Sequence, residues 1–339
     1  MKCVKIEAAN KLSIIERDKP VLKEGYAILK VLYGGICGSD LGTYKGTFFY
    51  SKYPVVPGHE FSAEIAEVGP NSLGLKPGMI VTANPYFNCG KCYACRRGHV
   101  NCCMANKTMG VMMDGAFAEY IEMPIERVYD GKGIPAKELA VVEPFAISYH
   151  AAKRAAVKPG ERVLVVGAGT IGYLAAAAAK MLGAEVYISD ISQAKLDYAA
   201  KLEPAGTILN DDNDTFAQKI KDITNGDGFD VCIEAVGLPS TFMNCIDAAA
   251  HRGRVVIVGI GKTNLDFFYS IIQTKELDIF GSRNALKEDF IELIDKVNAG
   301  EAIDLLSVVS KEYSFLEAER AFKETVSDIG GRLKVLLRF

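Results

Sequence analysis

The stretch "VLVVGAGTIG" (residues 163–172) limits the fold of this chain more than any other. Its unbroken apolar run reads as a strand buried on both faces, the kind found in parallel sheets. Gly167, Gly169 and Gly172 follow in G-x-G-x-x-G spacing, and an alanine-rich helical pattern continues to about Leu182. "EVYISD" then supplies a second strand, ending on Asp190. Strand, glycine turn, helix and terminal acid together make a dinucleotide-binding βαβ unit. Gly167 permits the tight turn, Gly169 the approach of a pyrophosphate, and Gly172 close helix–strand packing. Thr170 and Ile171 open the helix, whose first N–H groups face the phosphates. Asp190 is set to accept hydrogen bonds from ribose hydroxyls and to repel a 2′-phosphate. NAD is therefore expected over NADP, with nearby Lys195 softening the preference.

The texture of the chain differs on the two sides of residue 148. Before it, "YAILKVLYGGICG", "EFSAEIAEVG" and "GMIVTANP" are strand-sized runs bounded by Gly, Pro and Asn, as in an all-β or partly open barrel. After it, strands alternate with helices. "FDVCIEAVG" and "GRVVIVGI" are further buried strands, and "SQAKLDYAAKL" is helical, so a parallel sheet covered on both faces is predicted. The final part, from "EDFIELIDKVNAG" to "GRLKVLLRF", reads as a helix and then a strand. A length of 339 residues suits two domains.

The run "CGKCYACRRGHVNCC" holds five of the nine cysteines. Cys89, Cys92 and Cys95 are two residues apart, and Cys103 follows after seven more. Interlocked C-x-x-C steps can wrap one ion, and four thiolates would close a tetrahedral zinc completely, as a structural site. Lys91, Arg96, Arg97 and Lys107 would offset part of its negative charge. An iron–sulfur cluster also takes four cysteines. A dithiol redox site normally needs one C-x-x-C step. Cys102 is left over, although a last gap of six residues instead of seven is geometrically allowed. A disulfide framework is not expected, because "MKCVKIEAAN" has no apolar signal region and nothing points to secretion. The net charge of −3 argues against a general binder of nucleic acid or anionic membrane. "YLAAAAAKMLGA" is too short for a membrane span and is broken by Lys180.

A second set of metal-binding residue types is scattered. Cys37 lies in "GGICGSDLGTY", His59 and Glu60 in "VVPGHEFSAEI", and Glu143 in "VVEPFAISYHA". Cysteine, histidine and carboxylate together can hold zinc with one position open to substrate. Asp40 is a candidate to take the free ring N–H of His59, and Ser39 a candidate proton relay. By spacing alone, each of these residues also has an ordinary structural reading.

Taken together, "GGICGSD", "PGHEFSAEIAEVG", "CGKCYACRRGHVNCC", "EPFAISYHA" and "VLVVGAGTIG" resemble the zinc-containing medium-chain dehydrogenase/reductase superfamily over essentially the whole chain. The resemblance implies an α/β architecture: a GroES-like, β-rich catalytic domain (residues 1–148) with a structural-zinc lobe near 89–103, and a Rossmann, doubly wound parallel sheet that binds NAD (149–285). It also implies that residues 286–339 return to the catalytic domain. Cys37, His59, Glu60 and Glu143 then match the catalytic-zinc positions, with Glu60 or Glu143 as ligand or exchange partner. Ser39 matches the relay hydroxyl, Asp40 the acid behind His59, and Cys89, Cys92, Cys95 and Cys103 the structural zinc. Glu143, where simple alcohol dehydrogenases have Cys, points to the polyol, sugar and threonine branch. "EPFAISYHA" and "GSRNALKEDF" look most like sugar-acid enzymes that oxidise L-galactonate or L-gulonate at C5, with sorbitol-type and L-threonine 3-dehydrogenases close behind.

The expected activity is oxidation of a secondary alcohol of a sugar acid or polyol by hydride transfer to NAD, with zinc as Lewis acid. Lys45, Lys52 and Arg283 are candidate partners for a substrate carboxylate. A cytoplasmic protein with no nucleic-acid or membrane partner is expected from charge and hydropathy, and the family implies a homodimer or homotetramer. Two readings compete. A zinc-independent enone or quinone reductase is opposed by Cys37, His59 and Glu143. A non-catalytic cofactor-binding regulatory protein would have lost an open-site ligand, and none is missing.

Overall fold

The strand Arg162–Val166 forms the centre of a six-stranded sheet in the computed structural model, which describes residues 1–261, 263–328 and 330–339. In chain order the six strands are Arg162–Val166, Glu185–Asp190, Gly206–Leu209, Phe229–Glu234, Ala249–Ile257 and Asp278–Gly281. They lie side by side in the order 3-2-1-4-5-6, every pair parallel. That is the doubly wound order, with its reversal beside the first strand. Between the first two strands runs the helix Thr170–Met181. All five alanines from 175 to 179 are at most 1% exposed, so this helix is buried around its circumference. Leu164, Val166, Phe229, Cys232 and Val255 fill the core on one face of the sheet.

The chain divides into two compact units. The sheet just described belongs to the second, Pro144–Asn284 with Glu301–Ile303. The first comprises Met1–Glu143, Ala285–Gly300 and Asp304–Phe339. Its main sheet has seven strands, ordered Val309–Ser314, Lys334–Arg338, Tyr26–Ile36, Glu60–Val68, Ile80–Ala83 and Val128–Asp130, with Tyr120–Pro124 also paired to Tyr26–Ile36. The last strand of the chain thus pairs antiparallel with Tyr26–Ile36, Val335 opposite Ile36 and Leu337 opposite Gly34. Phe61, Ile65, Phe117, Phe322 and Leu337 pack beneath the sheet, none more than 2% exposed. Each such side chain contributes about 1.5–3 kcal/mol by leaving water.

The helix Gly38–Lys45 follows at once from Tyr26–Ile36, with Cys37 as its N-cap residue. The Asp40 carboxylate accepts the Cys37 backbone N–H at 2.9 Å, satisfying a donor at the helix start. Residues 89–103 form a lobe with little regular structure, the one-turn helix Tyr93–Arg96 and a short turn at Val100–Cys102. The two-stranded pair Tyr86–Phe87 and Lys107–Thr108 closes its base. Among the described residues no helix is long and apolar enough to cross a membrane.

Candidate active site

Cys37, His59 and Glu60 come together in the first unit, with one donor atom from each within 4.8 Å of the others. Two adjacent strands bring this about. Tyr26–Ile36 ends one residue before Cys37, and Glu60–Val68 begins one residue after His59. The strands pair so that Gly35 stands opposite Glu60. A side chain at Gly35 would occupy the space of the Glu60 carboxylate, so glycine is required there. His59, Glu60 and Asp40 are all buried.

Asp40 stitches the two segments together. Its carboxylate accepts the backbone N–H of Cys37 at 2.9 Å and that of Gly58 at 3.3 Å. It lies 3.9 Å from His59 Nδ1, beyond hydrogen-bond reach. The direct bond expected from the sequence is therefore not made. Asp40 instead binds the backbone of Gly58, the residue before His59. Burial raises the Asp40 carboxyl, against the pull of His59. Burial alone would lower His59, but Cys37 beside it, then Asp40 and Glu143, raise it well above the ordinary imidazole value.

Each buried acid has its own partner. Lys334, on the last strand, donates to both Glu60 oxygens at 2.7 and 2.5 Å and to the Ile36 carbonyl at 3.2 Å. The two side chains are 3% and 1% exposed, so neither charge has water to fall back on. Removing one member of such a pair costs about 3–5 kcal/mol. Glu143 accepts a hydrogen bond from the Tyr86 phenol and is not in the three-residue donor cluster. Burial pushes its carboxyl up to about 7, with His59 pulling down and Glu60 pushing further up.

The site suits a zinc ion by its own chemistry. His59 Nδ1 and Ser39 Oγ are buried with no hydrogen-bond partner among the described residues, an arrangement that costs free energy unless something else supplies the contact. A thiol, this imidazole and a carboxylate converge, the donor types that zinc takes. Lys334 and Tyr86 are not among the residues that the sequence singles out. Lys334 carried a weak signal, a lysine opening the apolar run "KVLLRF"; Tyr86 carried none.

Cys89, Cys92, Cys95 and Cys103 form a second donor cluster, again within 4.8 Å. Cys92 Sγ lies 3.4 Å from Cys95 Sγ and 3.9 Å from Cys103 Sγ. Tetrahedral zinc with bonds of about 2.3 Å needs sulfurs about 3.8 Å apart. All four cysteines are free thiols. Backbone N–H groups point at the sulfurs, Cys89 N at Cys103 (3.2 Å) and Cys92 N at Cys89 (3.4 Å). N–H groups of Cys95 and Met104 hold the Cys92 thiol down at about 6, favouring thiolate. Cys102 is exposed and outside the cluster.

In the second unit, Gly167 adopts φ +104°, and a side chain on Gly172 would collide with the Gly167 carbonyl. Gly169 caps the helix that begins at Thr170. The Asp190 carboxylate folds back on this turn, accepting the Ala168 N–H at 2.8 Å and the Ser192 N–H at 2.9 Å. Ile171 and Lys195 are half-buried near the starts of their helices. Lys45, Lys52 and Arg283 are exposed.

Comparison with known proteins gives the class. Residues 23–134 match the alcohol dehydrogenase GroES-like domain and residues 170–299 the zinc-binding dehydrogenase domain. The chain is 35% identical to L-galactonate-5-dehydrogenase of Escherichia coli (strain K12), covering 96% of this chain and 95% of that one. It is 31% identical to L-threonine 3-dehydrogenase of Pyrococcus abyssi, covering 99% and 98%. A crystal structure of a short chain alcohol dehydrogenase from Escherichia coli CFT073 complexed with NADH superposes with TM-score 0.90 at 30% identity, covering 100% and 99%. The protein is thus a zinc-dependent, NAD(P)-linked alcohol oxidoreductase. It belongs to the zinc-containing medium-chain dehydrogenase/reductase family, among dehydrogenases of polyol and sugar-acid type.

Proposed function

We propose that this enzyme oxidises a secondary hydroxyl of a sugar acid, of the L-galactonate or L-gulonate kind, with NAD as acceptor. The observation that carries the reading is the convergence of Cys37, His59 and Glu60, with Glu143 acting on His59 and a buried, unpartnered Ser39 hydroxyl two residues along the chain from Cys37. The similarity to L-galactonate-5-dehydrogenase supports the substrate class. Cys37, His59 and one of the two acids hold the catalytic zinc, while Cys89, Cys92, Cys95 and Cys103 hold a structural one. When bound, zinc supplies Lewis-acid assistance to ionisation of the hydroxyl, and NAD supplies the hydride acceptor.

The chain's own residues do the rest. Ser39 takes the substrate proton and passes it towards solvent. Asp40 keeps Cys37 and His59 in register through two backbone bonds. Gly167, Gly169, Thr170, Ile171 and Gly172 form the pyrophosphate turn. The Asp190 carboxylate, fixed by two N–H groups, receives the ribose and favours NAD over NADP. L-Threonine and sorbitol are the second reading, supported by relatives of those names at 31% and 32% identity.

A panel of sugar acids, polyols and L-threonine, with NAD and with NADP, tests this by NADH absorbance. The highest kcat/KM is expected with a sugar acid and NAD. A best substrate lacking a carboxylate would overturn the substrate class. Zinc-replete protein inert towards every secondary alcohol would overturn the reading as a whole.

A further inference from the structure

Building on that metal-site reading, we propose that Tyr86 is a positioning residue whose phenol draws Glu143 away from the metal, leaving Glu60 to accompany Cys37 and His59. Two buried carboxylates are available to one ion, and each is restrained differently. Lys334 grips both oxygens of Glu60, yet Glu60 stays within the cluster of Cys37 and His59. Glu143 gives one oxygen to Tyr86 and lies outside that cluster. The phenol is neutral, so it removes a ligand without adding a charge.

Tyr86 is itself held firmly. Its N–H donates to Asn84 Oδ1 at 2.9 Å, and its carbonyl accepts from Arg127 Nη1 at 2.6 Å. Arg127 Nη2 also binds Asn88 Oδ1 at 2.7 Å, and the guanidinium stacks 4.7 Å from the Phe87 ring. Cys89 follows three residues after Tyr86.

Tyr86→Phe keeps the ring and deletes only the donor. The probe is protein reconstituted with Co²⁺, read by visible absorption. The four-cysteine contribution is common to all variants and cancels in difference spectra. Tyr86→Phe is expected to shift the ligand-field bands of the second cobalt and to slow zinc loss to a chelator by about tenfold, the scale on which partners of metal ligands act. In a Glu143→Gln background the same substitution is expected to change neither. An unshifted spectrum in Tyr86→Phe, or a shift that survives Glu143→Gln, overturns the proposal. Wild-type protein that takes up a single cobalt overturns the metal-site reading beneath it.

Discussion

The two donor clusters of the first unit are built in opposite ways. The four cysteines come from one run of fifteen residues, are mostly half-exposed, and rest on a lobe with hardly any regular structure. Cys37, His59 and Glu60 come from the ends of two paired strands, and a lysine from the far end of the chain holds Glu60 in burial. In the first, local chain geometry brings the donors together, and a metal would supply what a hydrophobic core cannot. In the second, the sheet brings them together, so a metal there would have less folding work and more freedom to do chemistry. Metal loss should therefore unfold the one and silence the other.

The largest effect expected is on turnover. His59→Ala removes a donor from the buried cluster and should lower kcat by about a thousandfold, from the loss of several kcal/mol of Lewis-acid stabilisation. Its melting temperature should change far less than its activity. Cys89→Ser should do the reverse, releasing one zinc and lowering the melting temperature by about 10 °C, taking about 3 kcal/mol and the usual scaling for domains of this size. Cys102→Ser should leave zinc content unchanged. Equal losses of activity and stability in both variants would erase the distinction.

Lys334→Met tests the strand-built site from its far side. It leaves Glu60 buried and unpaired, so a loss of about 3–5 kcal/mol is expected in denaturant unfolding, with the four-cysteine zinc retained. Asp190→Ala, in the other unit, should raise the ratio of NADP to NAD efficiency by about tenfold without changing zinc content, a scale set by one charge-assisted contact.

The smallest effect is a control outside both clusters. Glu324 accepts from Tyr313, Lys311, Arg320 and Arg332, which hold its carboxyl well below the usual range. A lowered folded-state pKa stabilises fully above the unfolded value of about 4.3 and is lost as pH falls below it. The melting-temperature gap between wild type and Glu324→Gln should therefore be constant above pH 5 and narrow towards pH 3. A gap that widens on acidification contradicts this sign.

The sequence made these regions legible to different degrees for a physical reason. Four thiols at fixed short spacing leave few arrangements open, and so does a glycine triplet between an apolar strand and a helix. The strand order of the second unit follows from that start, because parallel strands alternating with helices wind in few ways. Cys37, His59 and Glu143 carry no such spacing; residue type makes them candidates, and only the resemblance joins them into one site. Tyr86 gives no signal in the sequence and Lys334 only a weak one, since their roles come from pairings that join residues 57 and 274 positions apart. Asp40 shows the limit of residue-type reasoning. A buried acid beside a histidine suggests a direct bond, whereas the fold spends its oxygens on two backbone amides.

The central claim is that chemistry resides in the dispersed cluster and not in the five-cysteine run. Zinc content and NADH formation measured together on His59→Ala test it most directly. The account predicts close to one zinc per chain, a near-native melting temperature and NADH formation with the best sugar acid lowered about a thousandfold. Two zincs retained, or turnover within tenfold of wild type, would contradict it.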